Sequence, residues 1–274
     1  MTAAVAEYSS IVSSVGQSPN WPQPGVTTPV TAPPTRGQRS SAWAVHGFTA
    51  LGIVAAMLAL RDVLTGHPDY AILWLLVTLL IDGIDGPIAR ALMVQDRVPR
   101  IDGFTLDLII DYVTCVIVPA TFMYEFRVVP QTNFGIAVLC VLVFTSAIWF
   151  ARRDMMSDDH WFRGFPAAWN LLVPVMFLMQ TRTAVGAVIT LILSVLSLTN
   201  MPYPHIMRAR YLQPLTVVFT VVLLGGIVLG AITYPDHPWI ARPPLFVGSA
   251  YFVVLSLVKT IRDARKRRAT PAGA

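Results

Sequence analysis

The stretch Ile81-Asp82-Gly83-Ile84-Asp85-Gly86-Pro87-Ile88-Ala89-Arg90, followed after twelve residues by Gly103-Phe104-Thr105-Leu106-Asp107-Leu108-Ile109-Ile110-Asp111, places four carboxylates in two otherwise apolar runs. Each run is long enough to cross a bilayer, where an acidic side chain costs about 3 kcal/mol on insertion scales. At helical spacing Asp82 and Asp85 share a face with Gly86 and Ala89, and Gly103, Asp107 and Asp111 line one face of the next helix. Two antiparallel helix ends would aim all four at one pocket. Packed anions in a low dielectric stay ionised only beside a cation, and oxygen-rich sites favour hard divalent ions. The pattern therefore predicts a metal site with Asp82, Asp85 and Asp107 as primary ligands and Asp111 one turn deeper. With no thiolate or imidazole in the set, Mn²⁺ or Mg²⁺ fits and zinc does not.

The rest of the chain supplies a membrane frame. Of its 274 residues 55% are hydrophobic and 13% charged, and the mean hydropathy is +0.61, values of a polytopic membrane protein. Apolar runs able to span about 30 Å of hydrocarbon lie near 44–60, 70–93, 103–124, 134–151, 166–180, 183–199, 211–233 and 241–261, which predicts an all-α integral membrane protein of about eight transmembrane helices. The hairpin Gln180-Thr181-Arg182 is short enough to leave the fifth and sixth runs the least defined. In that arrangement Arg36, Arg39, Arg97, Arg100, Arg152, Arg153, Arg163, Arg208, Arg210 and the Arg262–Arg268 cluster share one side, against Arg61, Arg127, Arg182 and Arg242 on the other. The positive-inside bias makes the first side cytoplasmic, with both termini, and opens the carboxylate site inward at the end of the second and third spans.

The net charge of +5 comes from these flanks, for which anionic lipid headgroups are a better partner than nucleic acid. Residues 1–40, rich in Ser, Thr, Pro and Ala, read as a disordered cytoplasmic tail, 41–262 as the membrane catalytic domain and 263–274 as a basic cytoplasmic tail. The first span lacks the pattern of a removed signal peptide. Cys115 and Cys140 sit in apolar runs and read as small buried hydrophobes.

The pattern D-x-x-D-G-x-x-A-R, then G-x-x-x-D-x-x-x-D, resembles the signature of the CDP-alcohol phosphotransferases, integral membrane enzymes that pass a substituted phosphate from a CDP-linked donor to an alcohol. The longer gap between Arg90 and Gly103 than most of that family has, together with Phe165-Pro166-Ala167-Ala168-Trp169-Asn170 and the segment Pro202 to Arg208, is similar to the bacterial subgroup that makes phosphatidylcholine from choline. The resemblance implies an inner-membrane enzyme using CDP-diacylglycerol and choline with Mn²⁺ or Mg²⁺. It implies Asp111 as general base as well as metal ligand, and Gly86, Ala89, Arg90 and Gly103 as the lining of the CDP pocket. A homodimer is expected by analogy alone.

Other readings compete. Intramembrane carboxylates also mark proton- or cation-coupled transporters, against which the Gly, Ala and Arg positions weigh. Another acceptor alcohol, such as serine, glycerol phosphate or inositol phosphate, would use the same chemistry; an anionic one would need Arg or Lys where the candidate acceptor region is aromatic. Choline has no N–H to donate, so aromatic faces are its natural contact. Tyr112, Trp169 and Asn170 are the first candidates, with Trp161 and Phe165 behind them, although aromatic belts are common at membrane interfaces. His205 and Arg208 could receive a lipid phosphate or simply serve the positive-inside bias. Pro87 is either a tolerated kink or a device that frees the Gly83 carbonyl. Gly226 and Gly230 form a G-x-x-x-G step that reads as close helix packing before it reads as a dimer seam.

Overall fold

The computed structural model describes residues 34–98, 100–205 and 212–269, the last four without their side chains. The first 33 residues of the expected tail, the final five residues, Arg208 and Arg210 lie outside the described residues.

Among the described residues ten α-helices follow one another: α1 (Arg36–Leu64), α2 (Pro68–Ala91), α3 (Val94–Arg97), α4 (Gly103–Tyr112), α5 (Val118–Glu125), α6 (Asn133–Phe150), α7 (Trp169–Leu178), α8 (Thr183–Ser197), α9 (Gln213–Ile232) and α10 (Arg242–Ala269). α4 and α5 form one rod, Gly103–Glu125, joined by a π-helical turn at Val113–Ile117. Pro119 accounts for that turn: it has no N–H for the preceding carbonyls, and widening the helix relieves the clash of its ring. A two-stranded antiparallel ribbon, β1 (Trp161–Arg163) with β2 (Pro202–Pro204), pairs Phe162 with Tyr203.

All eight apolar runs become helical. Among the described residues six helices have the length and hydropathy to cross a membrane, whereas the fifth and sixth runs form helices of 10 and 15 residues, Trp169–Leu178 and Thr183–Ser197. The two ends of the short pair meet, the Gly164 amide donating to the Met201 carbonyl at 2.9 Å. α7 is short because it sits in the middle. Trp169, Asn170, Val173, Pro174, Val175, Met176 and Leu178 are all buried, and a helix apolar on every face belongs inside.

The exterior is apolar too. α9 exposes Val217, Val218, Val221 and Ile232, and α10 exposes Val253, Val254, Leu257 and Ile261, faces that suit lipid rather than water. The interior compensates with hydroxyls. Thr145, Thr190, Thr220 and Thr260 donate back to the carbonyls of Val141, Gly186, Thr216 and Ser256 within their own helices, which satisfies them without water. The Gly226 and Gly230 step is used within the chain. A Cβ at Gly226 would press on Leu245, and one at Gly230 on Leu178 and Ala241.

The boundaries of the expected tails shift. α1 starts at Arg36 with a Thr35 capping box, Thr35 Oγ1 accepting from the Gln38 amide and Gln38 returning the bond. α10 carries its basic run as helix to Ala269. Both cysteines are free thiols, Cys115 half-buried and Cys140 exposed.

Candidate metal centre and donor pocket

α2 passes through Pro87 without breaking and ends at Ala91. Leu92 and Met93 turn the chain, Met93 in the left-handed region with φ 46°, and the single turn of α3 stands in the gap before α4. Its Val94, with Val98, packs on Ala42 and Val45 of α1 and against Ala89 and Leu92. The extra residues between Arg90 and Gly103 thus form a small apolar plug. Asp102 then starts α4, its carboxylate accepting from the Phe104 amide at 3.1 Å and from the Thr105 hydroxyl at 2.6 Å. An Asp followed three residues later by Thr, ahead of an apolar run, is a helix-start signal in the sequence, and it sets the phase that aims Asp107 and Asp111.

One carboxylate oxygen from each of Asp82, Asp107 and Asp111 lies within 4.8 Å of the other two. Opposed oxygens around a small octahedral ion are about 4 Å apart, so modest side-chain rotation closes the group on one. Asp85 is buried, on the next turn of α2, and does not belong to this group of three. Among the described residues no Lys, Arg or His forms a salt bridge with any of the four. An all-oxygen donor set left with its charge uncompensated fits a divalent cation.

α1 closes the back of the pair. A Cβ at Gly52 would meet Ile110 at 2.9 Å and Ile81 at 3.9 Å, so α1 packs on α4 as closely as a glycine allows and touches α2 at ordinary contact distance. The glycines expected to line the nucleotide pocket each face a nitrogen-bearing side chain. Arg90 folds its guanidinium back over Gly86, Nη1 lying 3.3 Å from the position of a Cβ, and the His46 ring lies 3.2 Å from that position at Gly103. Ala89 is only half-buried and packs against the plug.

Comparison with known proteins bears on this arrangement directly. The chain is 36% identical over 235 residues to the phosphatidylcholine synthase of Pseudomonas aeruginosa, covering 86% of this chain and 98% of that one. It is 30% identical over 251 residues to the phosphatidylcholine synthase of Legionella pneumophila, covering 88% and 97%, and 31% over 245 residues to that of Brucella melitensis, covering 89% and 87%. The chain belongs to the phosphatidylcholine synthases. No family model matches it.

Membership in this family makes the aromatic candidates for an acceptor site the next question, and the structure separates them. Tyr112 follows Asp111 on α4, half-buried, donating its hydroxyl to the Val143 carbonyl at 3.0 Å with its ring edge-on to Phe150 at 5.9 Å. Trp169 is different. It is fully buried, its indole N–H donates to Ser146 Oγ at 3.0 Å, and Phe165 packs against it at 4.9 Å. At the head of α7 its ring is fully enclosed, with no exposed face. Asn170 is buried beside it. Trp161 is buried with Lys259 Nζ already 5.6 Å from its centroid. His205 stacks on Phe162 at 5.1 Å.

Sequence reasoning passed over the loop that holds this aromatic group. Arg152 bridges Asp154 at 3.0 Å, the Thr199 carbonyl at 3.0 Å and Asn200 at 2.9 Å, and Lys259 reaches from α10 to Asp159 at 2.7 Å and Asp263 at 2.9 Å. Gly164 makes the bend after β1 with φ +82°, where a Cβ would collide with the Ser197 carbonyl. The Arg, Lys and Asp residues were visible as charge; the reach of Arg152 to Asn200 across 48 residues and of Lys259 to Asp159 across 100 was not.

Proposed function

We propose that this protein transfers the phosphatidyl group of CDP-diacylglycerol to choline, releasing CMP, at an inward-facing site of a bacterial cytoplasmic membrane with both termini in the cytoplasm. The observation that carries the reading is the uncompensated carboxylate group of Asp82, Asp107 and Asp111 in a chain matched over nearly the whole length of a phosphatidylcholine synthase. Asp82, Asp107 and Asp111 would hold a first divalent ion, and Asp85 would join Asp111 in holding a second. Ions bound there supply neutralisation of the pyrophosphate oxygens and of the charge growing on departing CMP.

The chain's own groups supply the rest. Arg90, swinging off Gly86, pairs with a donor phosphate through its planar fork. Asp111 takes the proton of the choline hydroxyl as its oxygen attacks the lipid-side phosphorus. The new P–O ester forms there while the bond from that phosphorus to the bridging oxygen breaks, and the electron pair leaves with CMP. A positioned base is worth about 10²- to 10⁴-fold. Tyr112, one residue beyond Asp111, offers the nearest ring for the quaternary ammonium; His205 and Arg208 belong to the segment that would face lipid headgroups.

The test is CMP release by purified protein given CDP-diacylglycerol, Mn²⁺ or Mg²⁺, and choline, ethanolamine, serine or glycerol phosphate in turn. Choline should be the strongly preferred acceptor. Release with serine or glycerol phosphate in its place overturns the acceptor assignment, and no metal-dependent release with any alcohol returns the carboxylates to a transport role.

A further inference from the structure

His46 is a buried polar group that the chemistry above leaves without a task. It stands on α1 at 6% exposure, and its Nε2 has no hydrogen-bond partner among the described residues. Burying a ring nitrogen unpaired is costly, and native structures keep such atoms for a reason. The ring lies against Gly103, Cε1 and Nδ1 falling 3.2 Å and 3.8 Å from where a Cβ would stand, with Trp43 edge-on behind it at 6.4 Å.

Gly103 is the first residue of α4 and lies one helical turn before Asp107. If the pyrophosphate sits at the carboxylates, the turn toward the helix start receives what hangs from its CMP side, which is the cytidine. We infer that His46 is a nucleoside-binding residue, its Nε2 hydrogen-bonding a ribose hydroxyl or the cytosine edge of the donor, with the missing side chain at Gly103 letting the ring pack against the start of α4. The inference rests on the reading of a CDP-linked donor. It assigns the residue no part in metal binding or proton transfer.

The full chain, purified in detergent, tests it through three variants and two ligands, CDP and inorganic pyrophosphate, titrated calorimetrically with Mn²⁺ present. The amide nitrogen of Gln reaches the position of Nε2, that of Asn the position of Nδ1, and Leu offers neither. His46→Leu and His46→Asn should weaken CDP about five- to thirtyfold, the loss of one buried hydrogen bond. His46→Gln should recover most of it, and pyrophosphate affinity should stay at the parent value throughout. In turnover the donor KM should rise in His46→Leu while the choline KM holds.

CDP affinity within twofold of the parent in His46→Leu overturns the inference. So does equal weakening of CDP and pyrophosphate in all three variants, which would make the ring a packing element of the site. A parent that binds CDP but releases no CMP with choline fails the acceptor reading and leaves the His46 comparison standing. A parent that binds no CDP overturns both.

Discussion

Aspartates are handled in two opposite ways in this molecule. After α6, Asp154 meets Arg152 and Arg163, and Asp159 meets Lys259 from α10; on α2 and α4, Asp82, Asp85, Asp107 and Asp111 meet no basic side chain among the described residues. In the loop, Asp154 and Asp159 are paired and half-exposed, so these charges hold the β1–β2 ribbon in place and are screened by water. Inside the helix pair Asp85 is buried, Asp107 and Asp111 are half-buried and Asp82 is exposed, and the sequence supplies no counter-charge. The neighbouring basic groups point elsewhere, Arg90 lying over Gly86. A carboxylate whose partner is built in is structural; a carboxylate group whose partner is withheld awaits one.

The largest expected effect breaks the contrast at its charged end. Asp107→Asn leaves shape intact but removes one of three converging ligands, so Mn²⁺ affinity should fall at least about tenfold and CMP release at least about a thousandfold. Electron paramagnetic resonance of free Mn²⁺ alongside a turnover assay reads both. Parent-like Mn²⁺ affinity in inactive Asp107→Asn would dissolve the site. Asp85→Asn sharpens the same point: outside the group of three, it should cost less Mn²⁺ affinity than Asp107→Asn, and a larger loss would move the first ion toward α2.

Next is Asp111→Asn. Asp82 and Asp107 remain, so CDP-diacylglycerol should still bind in Mn²⁺ while transfer falls about 10²- to 10⁴-fold, the range of a lost general base. Turnover at the parent rate would assign the proton elsewhere.

Smaller again is the acceptor side. Tyr112→Leu should raise the choline KM about two- to thirtyfold, from roughly 0.5 to 2 kcal/mol for one ring facing a quaternary ammonium, with the donor KM unmoved. Trp169→Leu should act differently, through its enclosed ring and the lost Ser146 bond: about 2–4 kcal/mol of stability, read as a lower melting temperature. A choline KM raised in Trp169→Leu at unchanged melting temperature would reopen that ring as an acceptor contact.

How much of this the sequence carried depends on whether the signal was local. Spacing within a helix placed Asp82 with Asp85 and Asp107 with Asp111, because i, i+3 and i, i+4 positions share a face whatever surrounds them. The helical, membrane-spanning architecture followed from apolar run lengths. Those lengths misjudge α7, since a central buried helix and a lipid-facing one are equally apolar and only packing tells them apart. Nor does any local pattern tell that the Trp169 ring is enclosed. His46 Nε2, unpaired against Gly103, was illegible because the two residues meet across 57 positions of sequence. The π turn had a local signal in Pro119, as α4 had in Asp102.

The smallest expected effect tests the paired end of the contrast. The Asp154 carboxyl is held below the usual range mainly by the Arg152 hydrogen bond, and Asp159, which burial pushes up, is brought below it by hydrogen bonds from Lys259 and Ser157. A carboxylate depressed on folding contributes stability that is present above its unfolded value, about 3.9, and is lost as pH falls through the folded one. The ribbon should therefore stay latched at any pH above about 5, and pH should not gate turnover through it. Asp159→Asn removes one of the two carboxylates on Lys259, and its side chain is 54% exposed. The change should cost at most about 1 kcal/mol, with choline turnover within about twofold of the parent, in the same assay in which Asp107→Asn is silent. Both variants trade one aspartate for its neutral isostere, so the gap between them measures what withholding the counter-charge does. An Asp159→Asn variant that keeps its melting temperature yet loses tenfold or more in turnover would erase that gap and make the loop a participant in the reaction.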